Sequence, residues 1–143
     1  AVAFGEALTP AFRSYAAAVR TNAAHLAECL AEQGLKIVTG GTDSHMVVVD
    51  LRGLDVTGAD VEKRGLAAGL TINKNMVPGD PLSPRVTSGI RVGTAAPTTR
   101  GMDLDAMTEI SALLVALIRE PDPEALRPRV QRLCDAFPIP GIG

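Results

Sequence analysis

Apolar residues in the first thirty positions recur at three- and four-residue steps: Phe4, Leu8, Phe12, Tyr15, Val19, Ala23, Leu26 and Leu30. That period places them on one face of a helix. Thr9 and Pro10 fit the N-cap and first position of a second helical segment within it, and Gln33-Gly34 ends the run. The pattern then changes. "KIVT" (36–39) and "HMVVVDLR" (45–52) are rich in β-branched residues and are separated by the turn-forming "GGTDS", which predicts an antiparallel strand pair. Thr57 opens a short helix with Asp60 at the capping-box position and Gly69 at its end. "LTINKN" (70–75) reads as a third strand and "TSGIRVGT" (87–94) as a fourth, joined by a loop holding Pro78, Gly79, Pro81 and Pro84. Asp103 caps "LDAMTEISALLVALIRE", whose apolar face is Leu104, Met107, Ile110, Leu114, Leu117 and Ile118. Asp122 and Pro123 begin a last helix that Pro128 breaks or delays. The order predicts an α+β fold, a small antiparallel sheet covered by helices on one face.

Composition changes this picture little. The chain has 143 residues, 46% hydrophobic and 21% charged, which suits one globular domain able to bury a core. Net charge is -2 and the basic residues are scattered, so a nucleic-acid partner is not expected. Cys29 and Cys134 have no paired spacing, which argues against a disulfide framework or a zinc site and for a reducing compartment. The longest apolar stripe, "ISALLVALI", is too short to span a bilayer; no membrane partner and a cytoplasmic location are expected. The opening "AVAFGEALTPAF" reads as the inside of a helix with neither Met nor cap before it, as in a piece of a longer protein.

In strand geometry Thr87, Gly89, Arg91 and Gly93 share one face, and Val86, Ile90 and Val92 point to the core. Two residues without side chains on either side of Arg91 predict a notch in which a ligand meets both backbone and guanidinium. A guanidinium suits a carboxylate because two parallel N–H donors meet two oxygens. The alternative is a strand arginine paired with an internal Asp or Glu. Asn75, at the exit of a strand into a proline-stiffened loop, offers a donor and an acceptor to a heteroaromatic ring, or else caps a turn. Asp43-Ser44-His45 has triad residue types, but sequence neighbours do not align nucleophile, base and orienter. His25 and His45 lack the companions of a metal site, and Lys74 reads as a solvated strand residue rather than a Schiff-base lysine.

"GGTDSHMVVVDLR", "TINKNMVPGDPLSPRVTSGIRVGTAAPTTRG" and the opening "AVAFGEALTPAFRSYAAAVRTNAAHLAECLAEQGLKIV" resemble, in order along nearly the whole chain, the C-terminal region of serine hydroxymethyltransferase. The resemblance implies the C-terminal small domain (1–143, with 1–33 as entry helices) of a fold-type I, aspartate aminotransferase-like enzyme. That enzyme uses pyridoxal 5'-phosphate to interconvert serine and glycine with tetrahydrofolate as one-carbon acceptor, as a homodimer or tetramer. Arg91 matches the arginine that receives the substrate carboxylate and Asn75 the asparagine that hydrogen-bonds the pterin, while Ser83, Pro84 and Arg85 occupy the loop bordering the folate. The family's Schiff-base lysine lies in a Thr-His-Lys motif of the large domain, which this chain does not contain, so no catalytic residue is expected here and the chain alone is expected to be inactive. Arg85 stands where the family commonly has Phe, Ser44 where "TDNH" is usual and Ala96 where "GTPA" is usual; Arg100 reads as a structural pairing residue. Two other functions fit the same residues: a stand-alone module that binds a carboxylate ligand or a partner, and part of a pyridoxal-phosphate aldolase for 3-hydroxy amino acids.

Overall fold

In the computed structural model, which describes residues 1–120 and 122–141, the elements run α1 (Val2–Ala7), α2 (Pro10–Glu32), β1 (Lys36–Ile37), β2 (Met46–Asp50), α3 (Gly58–Ala68), β3 (Asn73–Asn75), β4 (Gly89–Gly93), α4 (Ala95–Thr99) and α5 (Leu104–Arg119). A 3-10 turn (Glu124–Leu126) leads into α6 (Arg127–Ala136). The caps form as the side-chain chemistry dictates. The Thr9 hydroxyl accepts from Phe12 N–H with Pro10 behind it, Thr57 and Asp60 form a reciprocal capping box, and Asp103 accepts from Ala106 N–H. Gly69 ends α3 in the left-handed region at φ 87, which costs glycine nothing. Pro128 lies in the first turn of α6, where its missing N–H has no intrahelical partner to lose, so it starts that helix after the 3-10 turn rather than breaking it.

The sheet is antiparallel throughout, in the order β1-β2-β4-β3. The strands are shorter than their residue types suggest. Leu70 N–H returns to Gly65 O as part of the exit from α3, which takes the start of "LTINKN" out of the ladder. Thr87 adopts φ 61, outside strand geometry, so β4 begins at Gly89 and neither Val86 nor Thr87 belongs to its alternation. The short helix α4 is an element that the sequence pattern did not predict. It is tied to α2 by Asn22, which donates to Thr98 Oγ1 and Met102 O, and by the Tyr15 hydroxyl at 3.2 Å from Ala95 O.

Ile37, Val47, Val49 and Ile90 line the inner face of the sheet and pack with Leu26 and Leu30 of α2 and Met107, Leu114 and Leu117 of α5. Helices therefore cover one face of the sheet only. Four arginines tie helix ends together: Arg64 donates to Leu117 O and Ile118 O at the end of α5, Arg119 to Gln33 O after α2, Arg100 to Cys134 O and Phe137 O at the end of α6, and Arg127 to Ala67 O in α3. Each places a cation where helix carbonyls are unpaired and the macrodipole is negative. Arg100 is thus the structural residue that the sequence suggested, with backbone oxygens as its partners.

The apolar stripe of the opening helix splits. Val19, Ala23, Leu26 and Leu30 are buried, whereas Phe4 is 80% exposed, with Leu8 and Phe12 also exposed. No described helix is long and apolar enough to cross a membrane.

Candidate functional site

The outer face of the sheet is organised in cross-strand rows. One row reads Asn73–Arg91–Val48, with Val38 N–H bonded to Val48 O beyond it; the next reads Asn75–Gly89–Asp50–Lys36. Arg91 and Asn75 therefore lie on one face in adjacent strands, one row apart. Beside them is an open cleft of about 580 Å³ lined by the 38–44 turn, Met46 and Val48 of β2, and Asn75, Met76 and Pro78. The Asn75 amide donates to Met76 O at 2.7 Å, leaving its own carbonyl oxygen without a hydrogen bond among the described residues.

Arg91 is exposed and makes no ion pair or hydrogen bond among the described residues. This decides against the alternative of an internal acid partner. The other arginines of the sheet and helix ends are committed: Arg52 to Asp50, Arg20 to Asp43 O, Arg129 to Glu109, and the four helix-end arginines to carbonyls. Arg91 is the arginine of the sheet ladder, and its guanidinium is exposed and uncommitted among the described residues.

The notch around Arg91 is one-sided. A Cβ at Gly93 would meet only His45 O, at 3.5 Å, but a Cβ at Gly89 would lie 2.6 Å from Val77 Cγ1 and 2.7 Å from Val49 O. Val77 already fills the space over Gly89, so this glycine admits the 76–88 loop rather than a ligand. Ser83, Pro84 and Arg85 are exposed in that loop, and none of them lines the cleft that Asn75 borders. Ser83 O accepts from Val86 N–H and Thr87 N–H.

The acids around the face are ordered by hydrogen bonds. Asp50, whose side chain is 1% exposed, accepts from Arg52 Nη2 at 2.7 Å and from its Nε, and pairs with Lys36 Nζ at 2.9 Å. The Arg52 guanidinium holds the Asp50 carboxyl well below the usual carboxylate range, against the opposing effect of burial. At Asp80 burial also opposes ionisation, but hydrogen bonds from the Ser88 amide and hydroxyl and from the Leu82 and Val77 amides outweigh it and hold the pKa at about 2. Neither acid stood out in the sequence, although Asp80, between Gly79 and Pro81, has the setting of a turn-forming Asp.

Other chemistry is limited. Ser44 Oγ lies 3.1 Å from Thr42 Oγ1 and accepts from Met46 N–H, so Asp43-Ser44-His45 is a turn and not a triad. Lys74 is not simply solvated: its ammonium pairs with Glu62 at 2.5 Å while its N–H donates to the same carboxylate, closing the outer edge of β3. His25 sits 2.9 Å from Thr108 Oγ1 with Cys29 nearby, Cys29 and Cys134 are both free thiols, and no group of three potential metal ligands occurs among the described residues.

The domain is thus an α+β fold with helices on one sheet face and, on the other, an unpaired guanidinium and an amide beside an open cleft. The family model for serine hydroxymethyltransferase matches residues 1–114. The chain belongs to the serine hydroxymethyltransferase family, a transferase family, and the match includes Asn75, the proline loop and Arg91.

Proposed function

We propose that this chain is the C-terminal small domain of a fold-type I, pyridoxal-phosphate-dependent serine hydroxymethyltransferase of the cytoplasm, and that it contributes one wall of an active site. The observation that carries this reading is Arg91, unpaired on the open face of the sheet in a chain of the right family. Its role is to receive the carboxylate of serine or glycine through two parallel N–H···O bonds, each charged hydrogen bond being worth about 1.5–3 kcal/mol once water is excluded. Asn75 hydrogen-bonds the pterin of tetrahydrofolate, with Ser83, Pro84 and Arg85 along the same ligand.

Lys36 and Lys74 are ion-paired, and Lys63, the remaining lysine, lies on α3 away from the cleft. Anchoring of the cofactor is assigned to a large domain, and the 143-residue chain alone is assigned no turnover. When bound, the cofactor supplies an electron sink for charge developing at the substrate α-carbon. Arg91 fixes the carboxylate, and with it which α-carbon bond is presented for cleavage. The exposed Val2, Phe4 and Leu8 suit burial against the large domain or a second subunit of a homodimer or tetramer.

In the intact enzyme Arg91→Ala is expected to nearly abolish turnover with serine, and Arg91→Lys to restore little of it, because an ammonium cannot make the bidentate pair. Near wild-type kinetics for Arg91→Ala would refute the role. Asn75→Ala is expected to reduce folate-dependent transfer more than folate-independent cleavage of a 3-hydroxy amino acid; equal losses would remove the pterin from its assignment.

A further inference from the structure

Asp80 borders neither Arg91 nor the cleft, yet its carboxylate gathers donors from three separate points of the 76–88 loop. Oδ2 accepts from Val77 N–H at 3.1 Å and Ser88 N–H at 2.8 Å; Oδ1 accepts from Leu82 N–H at 2.9 Å and the Ser88 hydroxyl at 2.7 Å. Val77 is the residue whose side chain fills the space over Gly89, and it follows Asn75 by two positions. Ser88 is the last residue before β4, which carries Arg91. Between them Thr87 holds φ 61, unfavourable for a β-branched residue. It is retained by Thr87 Oγ1 donating to Gly89 O and by Gly58 N–H donating to Thr87 O. Arg52 adds a 3.4 Å bond to Pro78 O on the same loop.

We infer that Asp80 is a positioning residue for the cosubstrate side of the site: by tying Val77 and Ser88 to one carboxylate, it sets where Asn75 leaves β3 relative to the strand that carries Arg91. It touches no ligand and acts through Asn75, so the inference rests on the folate reading of that residue. A carboxylate is required at this position. Each oxygen accepts a backbone N–H, so the amide nitrogen of an asparagine would face a second donor in either orientation.

The test uses the intact enzyme and compares wild type with Asn75→Ala, Asp80→Asn, Ser88→Ala and the Asn75→Ala/Asp80→Asn pair. Folate-dependent transfer and folate-independent cleavage of a 3-hydroxy amino acid are followed together, with hydrogen exchange at the Val77, Leu82 and Ser88 amides. Asp80→Asn is expected to raise exchange at these amides roughly tenfold or more. It should also raise the KM for tetrahydrofolate by about ten- to a hundredfold, the scale of a small misplacement of a binding group. The transfer-to-cleavage ratio should fall, and the double variant should be little worse than Asn75→Ala alone. Ser88→Ala, which removes only the hydroxyl donor, should move each readout the same way by less, and it carries the test if Asp80→Asn does not fold. Unchanged exchange would overturn the anchor. Released amides with an unchanged ratio in Asp80→Asn, beside a lowered ratio in Asn75→Ala, would overturn the positioning role alone. An unchanged ratio in Asn75→Ala would overturn the folate reading and this inference with it, and raised exchange in Asp80→Asn would then locate the failure in that reading rather than in the anchor.

Discussion

Gly89 and Gly93 flank Arg91 symmetrically in sequence and asymmetrically in space, which makes the pair Gly89→Ala and Gly93→Ala a controlled experiment. Neither glycine has positive φ, so the backbone accepts alanine at both positions. At Gly93 the added methyl meets only His45 O at 3.5 Å, an ordinary contact. Alanine there should be neutral or stabilise by up to about 1 kcal/mol through reduced unfolded-state freedom. At Gly89 the methyl would sit 2.6 Å from Val77 Cγ1, 2.7 Å from Val49 O and 3.0 Å from Asn75 O. Two of these atoms are carbonyl oxygens of the flanking strands, and the third belongs to a stiff, buried β-branched side chain. None is the free end of a flexible group. Overpacking against mobile neighbours costs about 1–3 kcal/mol, so these fixed neighbours put the cost at about 3 kcal/mol or more. With an unfolding entropy of about 2.1 cal/mol/K per residue, that lowers the Tm of a 143-residue chain by about 10 °C. Urea and thermal unfolding followed by circular dichroism would measure it. Adding Val77→Ala removes only one of the three contacts, so the double variant should stay well below Gly93→Ala. Alanine at the two positions giving unfolding free energies within about 0.5 kcal/mol of each other would refute the packing argument.

Asp50 gives a pH-dependent prediction. Its folded pKa is depressed, so its contribution is complete above the unfolded value of about 3.9 and declines as pH falls from there toward the folded value. Asp50→Asn should cost about 2 kcal/mol at neutral pH, less than breaking a fully buried pair because Lys36 and Arg52 stay hydrated, and should flatten the acid limb of the stability profile. Identical acid limbs would contradict it. Thr57→Ala removes the hydroxyl half of the α3 capping box, leaving the backbone N–H of residue 57 to donate to Asp60, and should destabilise by about 1 kcal/mol in urea unfolding, with Thr57→Ser restoring most of the loss. A cost that Ser does not restore would show that the hydroxyl is not the cause.

The elements whose ends are written in local side-chain chemistry were legible in the sequence. Thr9-Pro10, Thr57 with Asp60, Gly69 and Asp103 each act within one turn of helix, and each appears where the residues imply. Strand ends were less legible because pairing is decided by a partner: Leu70 has β character but gives its N–H to Gly65 O, and Thr87 is bent out of the ladder. Within the candidate site, alternation along β4 put Arg91 on the face away from Ile90, as observed. That Arg91 has no acid partner among the described residues, that Val77 occupies the space over Gly89, and that Asp80 joins three points of a loop all depend on residues distant in sequence. Arg52 and Asp50 are two residues apart, yet their pairing with Lys36 also required the register of β1 with β2.

The four arginines at helix ends join α2, α3, α5 and α6 from within their own layer, and none of them reaches the outer face of the sheet. The ties that hold the helix layer are thereby kept apart from the open face that carries Arg91 and Asn75. Positions such as Asn73, Val48 and Arg91 take no part in those helix-end ties, so side chains on the open face can change while the helical scaffold behind it persists.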